Sequence, residues 1–508
     1  MNRKVGVIYS NILMLVEILS TMLFTPFLIR TLGQAEYGVY QLVTSITSYL
    51  VLLDLGVGNS VIRYMAKYRA DKDEQAQKQF LGITTIYYLL IAVVALGISA
   101  VILALFPTVF AKGLSQEEVS LAEKLFGVTM CAVAIALATS AFSNTVIAYE
   151  RFSVSKGTAI VLTVLKIFAS VGALKLGFGS MGIVFVNFII TILTRSVYVV
   201  YVLFVLKIRP YFKKVRASYV KEIASFSSFI LLQMIASQIN AMSDQILLGI
   251  FAKGASVIIG IYGVGAQVLQ YFKTIGSHFT SVLMPGLVRL VETGADAKRY
   301  EDEMIRISRI VFMVLSVIWV VFALFGRDFI CLWAGAENEQ AYYVAVLLMF
   351  PAIFSYSEGV GYQLLQSMAK HKLPAIVQVI SAVLNVGLTI ILIRWNPLKG
   401  AVIGTFIALV VCDIIIMNIM YKRQIGIRLT VYFAGLFKGI VPALLAAAAA
   451  GGLMKFAQLS RFGWLGFFVN CAVTALVYAV VMWLFGMNAY EKAMIRSPLQ
   501  KVCKKLFK

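Results

Sequence analysis

Residues Ser45–Ser60 read SITSYLVLLDLGVGNS, a long apolar run with one carboxylate, Asp54, in its middle. On insertion scales an aspartate at the centre of a membrane helix costs about 2.5–3.5 kcal/mol. A carboxylate in this setting needs a partner or a function. Gly56 and Gly58 follow directly and can bend the helix. We therefore expect Asp54 to bind freed backbone N–H groups or a cation on a neighbouring helix.

The composition of the whole chain agrees with a membrane setting for this run. The 508 residues are 61% hydrophobic and 13% charged, and the mean hydropathy is +0.89. Soluble proteins carry about twice that share of charge, so we predict a polytopic membrane protein. The five cysteines are dispersed, which disfavours a disulfide framework or a zinc site. The first 24 residues lack a small-x-small cleavage pattern and are interpreted as part of an uncleaved first helix.

Apolar stretches of bilayer-crossing length set the predicted fold class. A spanning helix needs about 20 apolar residues, and on this criterion the chain is all-α with about 14 transmembrane helices. The predicted spans lie near 8–29, 39–62, 80–106, 125–148, 158–177, 180–206, 223–251, 257–283, 307–326, 343–366, 374–393, 401–420, 432–455 and 464–486. The longest outer connection is 107–124, so any activity is expected within the bilayer.

The net charge of +22 is interpreted as an orientation signal. With the N-terminus placed inside, 31 of the 45 Lys and Arg residues fall in inner segments and 10 in outer loops. This bias predicts that both termini are cytoplasmic. Some of the charge can also bind anionic lipid headgroups. The sequence has no nucleic-acid-binding motif, and we predict no nucleic-acid partner.

A weak internal repeat suggests two halves of equal orientation. Tyr37-Gly38-Val39-Tyr40 matches Tyr262-Gly263-Val264-Gly265 at an offset of 225, and residues 152–168 align with 371–385 at an offset of 219. Repeated halves with a site between them are a common plan of transporters. We predict an N-lobe over 1–210, a C-lobe over 211–425, two further helices over 426–487 and a basic cytoplasmic tail over 488–508.

One set of motifs near the N-terminus resembles a known family. Residues 25–40 read TPFLIRTLGQAEYGVY and are followed by LDLG at 53–56 and IRY at 62–64. This order resembles the Wzx-type polysaccharide flippases of the multidrug/oligosaccharidyl-lipid/polysaccharide (MOP) exporter superfamily. The resemblance implies two six-helix lobes in a V-shaped, MATE-like arrangement with alternating access.

The resemblance also implies a substrate and a cellular setting. The expected substrate is an oligosaccharide on a polyprenyl diphosphate, a repeat unit of a surface polysaccharide, moved from the inner to the outer leaflet of the bacterial cytoplasmic membrane. The expected partners are membrane lipids, a polysaccharide polymerase and glycosyltransferases.

Other functions of the same superfamily remain open at this point. They are a multidrug/cation antiporter and a flippase for lipid II or teichoic acid. A membrane enzyme is disfavoured because the outer loops are short. The sequence has no Walker A motif in a suitable loop, so we expect no cofactor and coupling to H⁺ or Na⁺ instead.

Three cations deep in predicted spans are the candidate diphosphate ligands. Lys166 and Arg195 lie about nine and twelve residues from the inner ends of adjacent spans, roughly 14 Å and 18 Å at 1.5 Å per residue. Lys273 is similarly deep in the second half. A diphosphate crossing a low-dielectric layer needs such charges, and Arg adds a fork that matches phosphate oxygens. The alternative is that the three cations pair with buried carboxylates and only hold helices together.

Five intramembrane carboxylates are candidates for ion coupling or charge pairing: Glu17, Asp54, Asp244, Glu358 and Asp413. For Asp54 we form a sharper hypothesis, in which it holds Lys166 or Arg195 until the diphosphate arrives. Intramembrane amides such as Asn144 and Gln363 can hydrogen-bond sugars or hold helices together.

Overall fold

A computed structural model describes residues 3–212, 228–292, 296–368, 370, 372–457, 459–494 and 496. All regular secondary structure in these ranges is helical. The described chain falls into two compact units. The N-unit comprises Met1–Gly263 and Thr389–Ala401, and the C-unit comprises Val264–Leu388 and Val402–Lys508.

The N-unit is built from the first eight helices and the start of the ninth. They are α1 (Arg3–Leu50), α2 (Val57–Ala70), α3 (Glu74–Phe110), α4 (Gln116–Ala138), α5 (Ser140–Ala148), α6 (Phe152–Lys175), α7 (Gly179–Val200), α8 (Ser228–Phe251) and α9 (Ala255–Glu292). Its core includes Val61, Met65 and Phe80, all fully buried where α2 packs on α3.

Helices α10 to α18 and the remainder of α9 form the C-unit, apart from the stretch where α13 ends and α14 begins. They are α10 (Ala297–Ala334), α11 (Ala341–Ser357), α12 (Gly359–Ser367), α13 (Lys372–Ile393), α14 (Pro397–Leu409), α15 (Met417–Ile425), α16 (Leu429–Phe437), α17 (Ile440–Phe456) and α18 (Trp464–Val481).

Ten stretches of the described residues are helical, long and apolar enough to cross a membrane, and twelve if each of two bent helix pairs is one span. The chain is therefore a multi-pass membrane protein. Helices cover most described residues of the predicted spans, residues 223–227 of one predicted span lie outside the described ranges, and the number of 14 stays a prediction. The first two predicted spans form one continuous stretch, Ile12–Ala70, in that count. Gly33 interrupts α1 with φ 74° and ψ 170°, a conformation that favours glycine.

The second predicted span, 39–62, is not a continuous helix. Helix α1 ends at Leu50, a 3₁₀ turn covers Val51–Asp54, and α2 begins at Val57. Leu55 and Gly56 both have positive φ, 52° and 74°. The expected bend is confirmed at Gly56, whereas Gly58 lies inside α2. The bend frees backbone N–H groups beside Asp54.

The predicted outer connection 107–124 is largely helical, which corrects its length. Helix α3 runs to Phe110 and α4 begins at Gln116. Ser115 caps α4 by a reciprocal capping box: its hydroxyl accepts from the Glu118 N–H, and Glu118 accepts from the Ser115 N–H. The polar residues of this stretch start a helix and do not form a loop.

Two residues of the motif at 25–40 have clear structural roles. A Cβ at Gly38 would collide with the carbonyl oxygen of Ser256 on α9, and a Cβ at Gly260 would lie 2.6 Å from the Gln34 carbonyl oxygen. Helices α1 and α9 therefore touch backbone to backbone. Glu36 accepts a hydrogen bond of 2.6 Å from the Ser180 N–H at the start of α7, where a negative charge is favoured by the helix dipole.

A buried arginine joins the last helices of the C-unit to α10. Arg309 pairs with Glu491 at 2.7 Å, and the two side chains are 6% and 3% exposed. The same guanidinium donates to the carbonyl oxygens of Gly435, Lys438 and Gly486 at 2.6, 2.8 and 3.0 Å. These carbonyls lie where α16 and α17 are separated by a bend and where α18 ends. We call this group the Arg309 node.

Candidate functional site

The N-unit contains a cavity of about 360 Å³ at the break that follows α1. Its polar lining includes Asp54, Asn59, Ser143, Asn144 and Arg195. The remaining lining is aliphatic or small: Val51, Gly56, Gly58, Ile62, Val133, Ala136, Leu137, Ser140 and Met234. Residues from α2, α4, α5, α7 and α8 converge on it. We call it the N-unit cavity.

Asp54 is held in this cavity by neutral donors. Its Oδ1 accepts from the Tyr88 hydroxyl at 2.6 Å, and its Oδ2 accepts from the Gly58 N–H at 3.3 Å. Asn144 Nδ2 donates to the same Tyr88 oxygen at 3.3 Å. The expectation that Asp54 binds a freed backbone N–H is confirmed. The cation partner suggested for it is not within ion-pair distance among the described residues.

Arg195 lies in the same cavity as Asp54. Its Nη1 donates to Ser143 Oγ at 2.9 Å, and it makes no ion pair among the described residues. A guanidinium has five N–H donors, and one of them donates to a described residue. Lys166, on the adjacent helix α6, is half-buried and lies outside the cavity lining. Within the described ranges it has no hydrogen bond or ion pair.

The C-unit contains a second cavity, of about 370 Å³. Its lining is Ser277, Ser355, Tyr356, Glu358, Gly359, Tyr362, Gln363, Pro374, Gln378, Asp413, Met417 and Tyr421. Three tyrosines, two glutamines and two carboxylates converge on one space. We call it the C-unit cavity.

Both carboxylates of the C-unit cavity are fixed by amides and a hydroxyl. Asn418 Nδ2 donates to both Glu358 oxygens at 2.9 Å, and Glu358 is 1% exposed. Ser355 and Gln378 donate to the two oxygens of Asp413 at 2.8 and 3.4 Å. Asp413 lies in a π-helical turn, Val410–Ile416, a distortion frequent at functional sites.

Lys273 lies on α9 in the C-unit, close enough to Asp413 for the two charges to interact. Their charged atoms are beyond 4.0 Å, so no ion pair forms in the described structure. Asp244 accepts from the Tyr262 hydroxyl at 2.5 Å and from Thr389 at 3.2 Å. Glu17 is exposed on α1. The roles suggested for these residues remain predictions.

The two cavities occupy equivalent positions in the internal repeat. Helices α4 and α5 meet at Thr139, and α11 and α12 meet at Glu358, 219 positions later. Helices α5 and α12 also end 219 positions apart. Six lining pairs share this offset: Gly58 and Ser277, Ala136 and Ser355, Leu137 and Tyr356, Ser140 and Gly359, Ser143 and Tyr362, Asn144 and Gln363. The repeat thus carries one cavity in each unit.

Several lining residues did not emerge from the sequence. Sequence reasoning missed the three tyrosines of the C-unit cavity, Ser355 and Gln378, because no recognisable motif marks these uncharged residues within the apolar spans. Their spacing carried a usable signal. Ser355, Glu358 and Tyr362 are separated by three and then four residues along the chain. Asp413, Met417 and Tyr421 are each four residues apart. Both intervals are those of neighbours on one face of a helix.

Residues 5–291 match the family model described as polysaccharide biosynthesis protein, which is more than half of the chain. The chain belongs to the polysaccharide biosynthesis protein family. Among curated proteins, none matches its sequence.

Solved structures share the fold of this polysaccharide biosynthesis protein at low sequence identity. Lipid II flippase MurJ in an inward closed conformation is similar with TM-score 0.72 and 14% identity, over 97% of this chain and 99% of that one. An inward-facing multidrug resistance MATE transporter of the MOP superfamily is similar with a TM-score of 0.60 and 16% identity, over 80% of this chain and 94% of that one. A MOP superfamily transporter from Pyrococcus furiosus is similar with a TM-score of 0.50 and 16% identity, over 81% of this chain and 95% of that one. The predicted family and the MATE-like all-α fold class are confirmed.

Proposed function

We propose that this polysaccharide biosynthesis protein is a flippase for a polyprenyl-diphosphate-linked oligosaccharide. It would carry the saccharide from the inner to the outer leaflet of a bacterial cytoplasmic membrane by alternating access, coupled to H⁺ or Na⁺. Family membership and the fold support a transporter of this kind. The substrate and its coupling ion are the proposal.

The observation that carries the proposal is the state of Arg195. A half-buried guanidinium with one hydroxyl partner and no ion pair within the described residues can take a phosphate ligand without first losing a carboxylate. Bidentate Arg–phosphate pairs are among the strongest charge-assisted hydrogen bonds. Asn144 adds a neutral donor beside it, whereas the Ser143 hydroxyl already donates to the Ser140 carbonyl oxygen. We assign Arg195 to the diphosphate, with Lys166 and Lys273 as further candidate ligands.

The test is substitution of the proposed ligands in the full-length protein. We expect Arg195→Ala to weaken binding of a short-chain prenyl diphosphate in nanodiscs at least tenfold and to reduce export of surface polysaccharide in a deletion strain. Arg195→Lys should retain part of the binding, because lysine keeps the charge but loses the fork. Lys166→Ala combined with Arg195→Ala should abolish export.

Arg151→Ala, an exposed arginine between α5 and α6, is the matched control and should behave as wild type. Protein abundance is measured for each variant. Wild-type binding and export by the Lys166→Ala/Arg195→Ala protein at normal abundance would refute the assignment.

A cation antiporter is the second candidate function, and the C-unit cavity is the observation that favours it. Two carboxylates and three tyrosines are a suitable lining for an organic cation. Transport of a cationic dye by the wild type, with no effect of deletion on surface polysaccharide, would favour this function over the first.

A further inference from the structure

We infer that the C-unit cavity binds a sugar residue of the substrate and that this sugar is neutral or amino, without a carboxylate. The inference rests on the proposed function and specifies its glycan.

The lining offers the two kinds of contact that a sugar ring needs. Tyr356, Tyr362 and Tyr421 supply aromatic surface for the apolar face of a ring. Gln363 and Gln378 supply amide groups, and Glu358 and Asp413 supply carboxylate acceptors for its hydroxyls. The volume of about 370 Å³ lies at the lower end of the range for small-molecule pockets, about 300–1,000 Å³. One sugar residue suits this space better than a whole repeat unit.

The carboxylates are positioned but not saturated. A carboxylate offers about four acceptor sites, and each of these two is held by two hydrogen bonds. Sites remain on both for hydroxyl or ammonium donors. Asn418 is 4% exposed, and its Oδ1 has no hydrogen-bond donor among the described residues, although its Nδ2 holds Glu358.

Charge decides which sugars are accepted. Like charges repel strongly in a buried, low-dielectric site, and Glu358 and Asp413 line the same cavity. A uronic acid would bring a third carboxylate, and the described lining of the cavity contains no Lys or Arg to offset it. A hydroxymethyl group or an ammonium at the same place adds no such repulsion.

The comparison of repeat-related positions supports a specialised role for this cavity. Where the N-unit cavity has Leu137 and Ser143, the C-unit cavity has Tyr356 and Tyr362. Where the N-unit has Ser140, the C-unit has Gly359, which leaves room beside the rings. The first cavity has one cation, Arg195, and one acid, Asp54, whereas the second is lined by two acids. The two repeats thus share a scaffold but differ in lining: the N-unit cavity offers a cation to an anionic group, and the C-unit cavity offers a lining suited to a sugar.

The experiment measures binding to the full-length protein in nanodiscs. The ligands are farnesyl diphosphate and its glucose, glucosamine and glucuronate derivatives. We expect the glucose and glucosamine derivatives to bind at least tenfold tighter than the glucuronate derivative. Glu358→Gln and Asp413→Asn should each reduce this ratio to threefold or less. Asp71→Asn, an exposed carboxylate between α2 and α3, should keep the wild-type ratio.

Equal affinity of the wild type for the glucose and glucuronate derivatives would overturn the inference. Unchanged discrimination in both folded variants would also overturn it. Either result leaves the proposed function standing if bare farnesyl diphosphate binds in an Arg195-dependent way. If bare farnesyl diphosphate does not bind, the diphosphate assignment fails, and methyl glucoside against methyl glucuronide still tests the cavity. If neither methyl glycoside binds the protein but a cationic dye does, the inference is overturned and the cavity is assigned to an organic cation.

Discussion

Asp54 shows how a single carboxylate is accommodated in an apolar run. The bend at Leu55 and Gly56 frees the Gly58 N–H, and Tyr88 reaches Asp54 from α3. Two hydrogen bonds to a charged group offset much of the cost of burying it. Arg195 lies in the same cavity as Asp54, and the two residues form no ion pair in the described structure. This arrangement leaves both residues available to a ligand.

Glu491 is the residue whose loss should be most costly to the stability of the C-unit. Replacing it by alanine leaves the Arg309 guanidinium buried without its counter-charge, which typically costs about 3–5 kcal/mol. We expect Glu491→Ala to lower the thermal unfolding temperature of the purified protein by several degrees. The measurement is thermal unfolding in detergent followed by intrinsic fluorescence.

The matched control for Glu491→Ala is the exposed pair of Arg327 and Glu339, which are 63% and 38% exposed. Surface ion pairs contribute about 0–1 kcal/mol, so Glu339→Ala should shift the unfolding temperature little. Equal shifts for the two variants would contradict a structural role of the Arg309 node.

At the scale of elements, glycines mark the breaks after α1 and between α16 and α17, whereas the prolines inside helices do not mark the breaks between helices. Pro26, Pro107 and Pro351 all lie inside helices, whereas α4 and α11 end at Thr139 and Glu358. Prolines are tolerated in membrane helices because neighbouring groups satisfy the freed backbone. The span positions followed from hydrophobic length, which the bilayer imposes. The breaks depend on tertiary packing, for which a single apolar sequence carries little signal.

Gly38 is expected to be the glycine most sensitive to substitution in the contact of α1 with α9. A Cβ there would overlap the Ser256 carbonyl oxygen, which is backbone and cannot rotate away. Small residues allow such close approach of membrane helices. We expect Gly38→Ala to reduce the yield of folded protein severalfold, measured by size-exclusion chromatography of a fluorescent fusion.

Gly97→Ala is the control for Gly38→Ala, because a Cβ at Gly97 meets nothing within 4 Å. It should fold as well as wild type or slightly better, since alanine favours helix. A monodisperse Gly38→Ala protein at wild-type yield would show that the two helices can separate without loss of the fold.

For the whole molecule, the duplication was predictable but the cavities were not. Charge distribution and two short alignments indicated two halves of equal orientation. The six lining pairs at offset 219 contain no identical residue, so sequence comparison alone passes over them. Arg195, Glu358 and Asp413 were predicted as intramembrane charges because such residues are costly in lipid. Their partners required the packed structure.

The orientation of the whole chain is testable by cysteine labelling. In a variant without native cysteines, Glu117→Cys should react with an impermeant maleimide in intact cells, because its helix start is predicted to be outside. Asp71→Cys should react only after permeabilisation, since it lies in a segment rich in Lys and Arg. Labelling of Asp71→Cys in intact cells would invert the proposed topology.

The Arg309 node has a consequence for biogenesis. Arg309 leaves the ribosome more than a hundred residues before Gly435, Lys438, Gly486 and Glu491, which together supply its acceptors. Throughout that interval the guanidinium is without the groups that satisfy it in the finished protein. Arg309 on helix α10 therefore cannot make its final hydrogen bonds during synthesis until the last helices have been made. A nascent chain arrested before α16 would expose an unsatisfied arginine, a feature by which membrane quality control could distinguish it from the mature protein.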